Sequence, residues 1–344
     1  MMKHILATGA LSLSLGLAAT GAFAQATTIP GEQVGLAVGA PLPEGVYAID
    51  TFIYRSPSAP SSTLTGAADT SINVPVLVWS TPWTPLGGRL ELIAAQPTVS
   101  AYGRAGGATG VRDLSVNVGT LLGGIWAFDL GNNFGVSLLG AVHLNDLDAD
   151  RGVVRLNNGT FAGAPLLPQL SSNTYRIGFA GSYTGDGYNL TANLTYNFYD
   201  SPGKFDGVNL PGFNTRGPFR ISDALLLDLT ATKKFDLFNE GKAKFEIGPV
   251  AYGAINLDPS ASAGIFGTQS GRAGRFAVGG LIGYDFGKFS VQAIVATDVV
   301  STVTYAQPVT GITKTNYSTD GMFRVIVPLY TPPAAAPMAV VSKY

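Results

Sequence analysis

The stretch from Tyr188 to Phe198 alternates strictly between apolar and polar residues. Side chains on a β-strand point to opposite faces with a period of two. Tyr188, Leu190, Ala192, Leu194, Tyr196 and Phe198 therefore form one apolar face, and Asn189, Thr191, Asn193, Thr195 and Asn197 form a wholly polar one. Such a strand stands between an apolar medium and water. A soluble sandwich with a buried core satisfies that pattern, and so does a barrel with lipid outside and water within. One strand does not choose between them.

The links between strands do. The same alternation predicts strands at roughly 45–55, 71–83, 88–101, 112–129, 133–146, 173–184, 187–199, 220–236, 241–256, 274–286, 288–300 and 319–330. Short links such as Thr84-Pro85-Leu86-Gly87, Leu130-Gly131-Asn132, Gly185-Asp186 and Gly287 alternate with long ones, for example Leu147 to Ser172 and Asp200 to Phe219. An even strand number with alternating short and long links is the pattern of periplasmic turns and extracellular loops in an outer-membrane barrel. Soluble sandwiches have no reason to obey it. The expected fold is therefore all-β: a transmembrane antiparallel barrel of about twelve strands over 44–330.

Composition agrees. Only 12% of residues are charged, against about 25% in a typical soluble domain. No stretch after the N-terminus holds about 18 uninterrupted apolar residues, as a spanning helix would need. The net charge of -1 gives no reason to expect a nucleic-acid partner. The chain has no cysteine, so disulfides, thiolate metal sites and Cys nucleophiles are excluded.

The two ends read differently from the barrel. Lys3 and His4 precede an apolar, small-residue run that closes on Ala22-Phe23-Ala24, the order of a secretory signal. Residues 1–24 are expected to be removed, with cleavage after Ala24 preferred over Ala26. Residues 25–43 contain Pro30, Gly31, Pro41 and Pro43 and no strand pattern. They either plug the lumen or lie free in the periplasm, the second being the preferred placement. At the other end, Pro332, Pro333 and Pro337 stop the barrel and leave 331–344 as a periplasmic tail.

The ordered pieces resemble a known family. Gly45-Val46-Tyr47 opens the first strand, and Ser80-Thr81-Pro82-Trp83 with Gly87-Gly88-Arg89 makes the first short turn. Asp113-Leu114, Ser222 to Asp228, Gly283-Tyr284-Asp285-Phe286 and the closing Phe323-Arg324-Val325 to Pro328-Leu329 follow. Over about 40–330 these are similar to the outer-membrane family named for the meta-cleavage pathway of phenol degradation. The resemblance implies uptake of aromatic or other hydrophobic small molecules. The chain departs from the pattern at Leu329, where an aromatic is expected, and in its Pro-rich tail.

Candidate functional residues are the polar groups at inward parity: Arg89, Glu91, His143, Arg176, Asp228, Lys244, Glu246, Arg275, Asp285, Asp298 and Arg324. Both signs occur, which predicts cross-strand ion pairs inside the barrel. They serve either as wall-to-wall pairing or as a constriction that orders permeant dipoles. Trp79 is expected inward and Trp126 outward. His143 is the one histidine after the signal, so any Ser-His hydrolase would have to use it, yet no serine stands two residues on. Asp146 to Gly152 begins like a calcium loop, but Arg151 occupies the sixth position and Asn157 the twelfth, where Gly and Glu are required. No cofactor, metal or catalytic group is expected.

The functional expectation is a passive channel for small hydrophobic or aromatic compounds. Its expected surroundings are outer-membrane lipid and, during biogenesis, the barrel-assembly machinery. A structural or interaction barrel with a blocked lumen and ligand-binding loops is the alternative, and a lipid-modifying enzyme the third.

Overall fold

Strands with one apolar face and one wet face avoid unpaired edges only by closing on themselves. The computed structural model shows that closure. It describes residues 29–58, 69–102, 111–117, 119–144, 151–156, 161–165, 174–199, 223–237, 244–257, 263–264, 267–268, 274–302, 304–306 and 313–333. In chain order the strands are β1 (Gly45–Pro57), β2 (Asp69–Ser80), β3 (Arg89–Ala95), β4 (Thr98–Tyr102), β5 (Val111–Asn117), β6 (Thr120–Gly131), β7 (Phe134–Leu144), β8 (Arg151–Leu156), β9 (Phe161–Pro165) and β10 (Thr174–Tyr183). There follow β11 (Tyr188–Tyr199), β12 (Ala224–Phe235), β13 (Phe245–Asn256), β14 (Ala263–Gly264), β15 (Gly267–Thr268), β16 (Gly274–Asp285), β17 (Ser290–Ser301), β18 (Thr304–Ala306), β19 (Thr313–Thr315) and β20 (Ser318–Tyr330).

The wall runs β1-β2-β3-β6-β7-β10-β11-β12-β13-β16-β17-β20, every pair is antiparallel, and β20 returns to β1. The result is a closed twelve-strand barrel. Closure is anchored by pairs such as Arg55↔Asp320 and Phe52↔Phe323. A twelve-residue strand is about 40 Å long. Tilted by about 40° it spans about 30 Å, enough to cross a bilayer core.

Two expected strands are broken, with reasons in the sequence. The predicted 88–101 strand divides into β3 and β4 at Gln96-Pro97, because Pro97 has no N–H for the ladder. The neighbouring Gln96 N–H donates instead to the Pro75 carbonyl at 3.2 Å. The predicted 112–129 strand divides into β5 and β6 beside Gly119, whose φ is 106°. β4 and β5 pair with each other and continue the wall above β3 and β6, so the count of twelve around the barrel is unchanged. The short turns rely on left-handed residues: Asn132 and Asn133 between β6 and β7, and Asp186 and Gly187 between β10 and β11.

Burial follows the alternation. On β11 Thr191, Asn193, Thr195 and Asn197 are buried, while Tyr188, Leu190 and Leu194 are exposed on the outer surface. Outward aromatics gather near both rims, as lipid headgroup regions favour. At the short-turn end Trp79 and Trp83 rings lie 5.3 Å apart, Phe134 and Tyr183 4.8 Å, and Phe286 and Phe289 4.7 Å. Toward the long-loop end Tyr175 stacks on Phe198 at 5.2 Å. Trp79 is therefore a correction: it faces out, not in. Val74, Val76 and Val78 share one parity and Leu77 and Trp79 the other, so β2 is apolar on both faces there and hydropathy does not set its direction.

Residues 29–43 run through the interior of the barrel. Their preferred sequence placement, free in the periplasm, is not where the described residues lie. A wall lined with Asn, Thr, Ser and charged groups supplies side-chain partners to a backbone that has no ladder of its own. Short turns shape the segment, with Glu32 N–H donating to Ile29 O, Val34 to Gly31 O, and Ala40 to Ala37 O. Both Ile29 and Val34 are buried. The signal-peptide residues, the calcium-like acidic run 146–150 and the tail from 334 lie outside the described residues.

Candidate lumen site

Two polar layers line the barrel, and they differ in what neutralises them. Nearest the long-loop rim is a wall-to-wall network. Arg55 Nε donates to Asp320 Oδ1 at 2.8 Å, and Arg275 Nε donates to Asp298 Oδ1 at 2.7 Å. Arg275 Nη2 also reaches Asp320 Oδ2 at 3.0 Å, and the Tyr252 hydroxyl donates to the same oxygen at 2.6 Å. Asp320 has no exposed side-chain surface. Two guanidinium groups thus meet two carboxylates contributed by four different strands. Such a cluster staples β1, β20, β17 and β16 together at the closure. Arg275 and Asp298 were expected from parity. Arg55 and Asp320 were missed, although Asp320 sits four residues before Arg324 and so shares its face.

In the deeper layer the wall side chains bond to the segment as well as to one another. Gly31 N–H donates to Asp228 Oδ1 at 2.9 Å, Gly35 N–H to Thr230 Oγ1 at 2.8 Å, and Gly39 N–H to Ser182 Oγ at 2.9 Å. Leu42 N–H donates to Glu91 Oε1 at 2.8 Å, and Ser80 Oγ returns a bond to Leu42 O at 3.0 Å. Ser137 donates to Val38 O at 2.7 Å, while Asn189 and Gln292 both donate to Gly35 O, at 3.1 Å and 3.0 Å. Asn193 donates to the Gln33 side chain at 2.8 Å.

Two arginines complete the layer. Arg176 Nη1 pairs with Glu32 Oε1. Its Nη2 lies 3.4 Å from His143 Nε2. A guanidinium offers only donors, so that imidazole nitrogen is the acceptor. Arg324, fully buried, donates to Thr51 Oγ1 at 2.9 Å, Gln292 Oε1 at 3.0 Å and Glu32 O at 2.6 Å, and also to Val34 O. Glu246 accepts from Thr232 Oγ1 at 2.5 Å and from Gln292 Nε2 at 3.2 Å.

Of the sequence-derived candidates, Glu91, His143, Arg176, Asp228, Glu246, Arg275, Asp298 and Arg324 are buried on the inner wall. Arg89 shares their parity but lies half-buried at the short-turn rim, where Nη1 donates to Thr81 O at 2.8 Å. Lys244 and Asp285 are likewise half-buried at that rim, and Asp285 accepts the Gly287 N–H at 2.7 Å to close a turn. Among the partners of the segment, Ser80, Ser137, Ser182, Thr230 and Gln292 were not singled out from sequence. Parity identifies them as inward, but only the placement of residues 29–43 gives them a role.

Residues 54–306 match the family described as the "MetA-pathway of phenol degradation". The chain belongs to this family. No curated protein matches the chain. Among solved structures, it is similar to an outer membrane channel from Pseudomonas putida F1, at 13% identity, TM-score 0.50, and coverage of 84% of this chain and 97% of that one. It also resembles the translocator domain of the autotransporter NalP from Neisseria meningitidis, at 12% identity, TM-score 0.45, and coverage of 83% and 89%. At these identities the first likeness bears on the fold alone, and it agrees with an outer-membrane barrel.

Proposed function

We propose that this protein is an outer-membrane channel through which small hydrophobic or aromatic compounds pass by diffusion. The observation that carries the reading is that the middle of the barrel is filled by a separate segment, residues 29–43, and not by side chains of the wall. Wall side chains cannot leave the lumen without unfolding strands, whereas a segment joined to β1 at one end can move as a unit. The family's association with phenol degradation supports the aromatic class of permeant. In this reading residues 1–24 direct export, assembly machinery inserts the barrel, and residues 331–344 trail on the periplasmic side.

Passage then requires residues 29–43 to shift. The test compares the full mature chain with a form lacking 29–43, in planar bilayers and in vesicles loaded with a labelled aromatic acid. The shortened form is expected to show higher conductance and faster uptake than the full chain. A barrel that folds in both forms yet passes neither ions nor the acid in either would refute the channel.

The same lumen-filling segment favours a second reading, an interaction barrel whose external loops bind a partner while the lumen stays shut. Equal and negligible conductance of the two forms is what that reading expects.

A further inference from the structure

The inner wall has two unlike halves. On β10 to β13 inward residues such as Asn193, Asp228, Thr230 and Tyr252 are buried. The segment lies against that side: between Gly31 and Gly35 it bonds to β10, β11, β12, β17 and β20. The other half is apolar. Ile49 on β1, Val76 on β2, Ile93 on β3, Ile125 on β6, and Leu139 and Ala141 on β7 have the inward parity of their strands, yet each is only half-buried. A side chain aimed inward is reached from space inside the lumen, so an unfilled cleft runs along this half of the wall. Its lining is contiguous. Ile49 pairs with Val76 and Ile125 with Leu139. Ile93 lies diagonal to both pairs, since its neighbours Ala95 and Glu91 stand opposite Val76 and Ile125.

We propose that this cleft is a binding site for an uncharged apolar molecule about the size of one aromatic ring, held beside the docked segment. The six lining residues offer no hydrogen-bonding side chain. The charged groups at the edges are already engaged: Glu91 accepts the Leu42 N–H at 2.8 Å, and Arg176 pairs with Glu32. A carboxylate placed there would lose its water without gaining a partner. An apolar void lined by aliphatic side chains instead stays dry and takes a guest such as benzene. The segment bounds the cleft at the short-turn end, where Val38 O accepts from Ser137 and Leu42 O from Ser80. On β6 and β7 the half-buried inward stretch is short, and two residues on one face of a strand stand about 7 Å apart, a step suited to one ring rather than a long chain. The proposal rests on the channel reading and locates its permeant, which waits on the apolar half of the wall and moves on when the segment shifts.

The probes are toluene and its charged counterpart benzoate, measured by equilibrium binding to the full mature protein in lipid nanodiscs, as the saturable fraction above that of empty nanodiscs. Toluene is expected to bind, and benzoate at least about tenfold more weakly. Ile93→Phe and Ile125→Phe fill the cleft with apolar atoms and should each weaken toluene by about tenfold. Val278→Phe, exposed on the outer face of β16, should leave it unchanged. A second readout does not depend on the larger side chains being accommodated: toluene should slow the reaction of an Ile93→Cys thiol with a small maleimide, and benzoate should not. Three results overturn the site while leaving the channel standing, provided that deleting residues 29–43 still raises conductance. They are a folded barrel without saturable toluene binding, equal binding of the two probes, and toluene binding that ignores both Phe substitutions and leaves the Ile93→Cys thiol unprotected. A deleted form that conducts nothing and passes no aromatic compound overturns the channel, and the site's place on a permeation path with it.

Discussion

If residues 29–43 are held by fit as well as by hydrogen bonds, one methyl group at Gly39 should loosen them. A Cβ at this position would lie 2.6 Å from the Gly181 carbonyl carbon and 2.6 Å from the Ser182 nitrogen, both backbone atoms of β10. Ordinary contact begins near 3.4 Å, and a strand paired on both sides cannot withdraw. Overpacking of this kind costs about 1–3 kcal/mol. The lower freedom of alanine in the undocked chain offsets about 0.4–1 kcal/mol. A net destabilisation of about 1.4 kcal/mol raises the undocked population about tenfold. The chain has no cysteine, so Gln33→Cys introduces a single thiol within the docked segment. Its reaction with a water-soluble maleimide should accelerate about tenfold when Gly39→Ala is added, because labelling follows the open population when reclosing is fast. The barrel should keep its folded mobility in detergent, since the perturbed contact is with the segment and not within the wall ladder. Unchanged labelling would refute the tight fit against β10. Loss of the folded barrel would show that the segment is part of the wall's stability, and a movable filling would no longer be tenable.

Two further outcomes test the wall. Asp320→Asn removes the negative charge shared by Arg55, Arg275 and Tyr252, turns one of its two acceptor oxygens into a donor, and leaves buried guanidinium charge undercompensated; a loss of about 3–5 kcal/mol is expected, seen as unfolding at lower temperature or denaturant. Leu194→Arg, on the outer face of β11, should cost about 2–4 kcal/mol of folding into lipid vesicles if that face meets the bilayer interior, whereas little change would place Leu194 outside the hydrocarbon.

How much of this was readable in the sequence depended on whether one face of a strand was unambiguous. β11 was, because its two parities hold different chemistry throughout, and β12 was read correctly from Leu225, Leu227 and Leu229 flanking Asp228. β2 was not, since Val74 to Trp79 offers apolar residues to both sides, and Trp79 was assigned to the wrong one. Where hydropathy is silent, only pairing decides: Trp79 stands opposite Val46 on β1 and Leu92 on β3, and the register of those neighbours carries it outward. The break at Pro97 carried a local signal that alternation alone overrode.

The segment marks the deeper limit. Residues 29–43 show no strand or helix period because their backbone bonds go to side chains far away in the chain, Gly31 to Asp228 and Gly35 to Thr230. One trace was local. Gly31, Gly35 and Gly39 recur at every fourth position; the first two hold φ of 89° and 84°, and the third leaves no room for a Cβ beside β10. A glycine spacing of that kind, in a Pro-punctuated stretch with no strand or helix period, signals close approach to another surface. The inward polar residues of β10 to β13 needed partners that a water-filled lumen would also have provided, so their sequence fitted an open pore and a filled one equally. What separates the two is the acceptor accounting at Arg176 and Arg324: water could serve both, but the chain places a carboxylate and two carbonyls there.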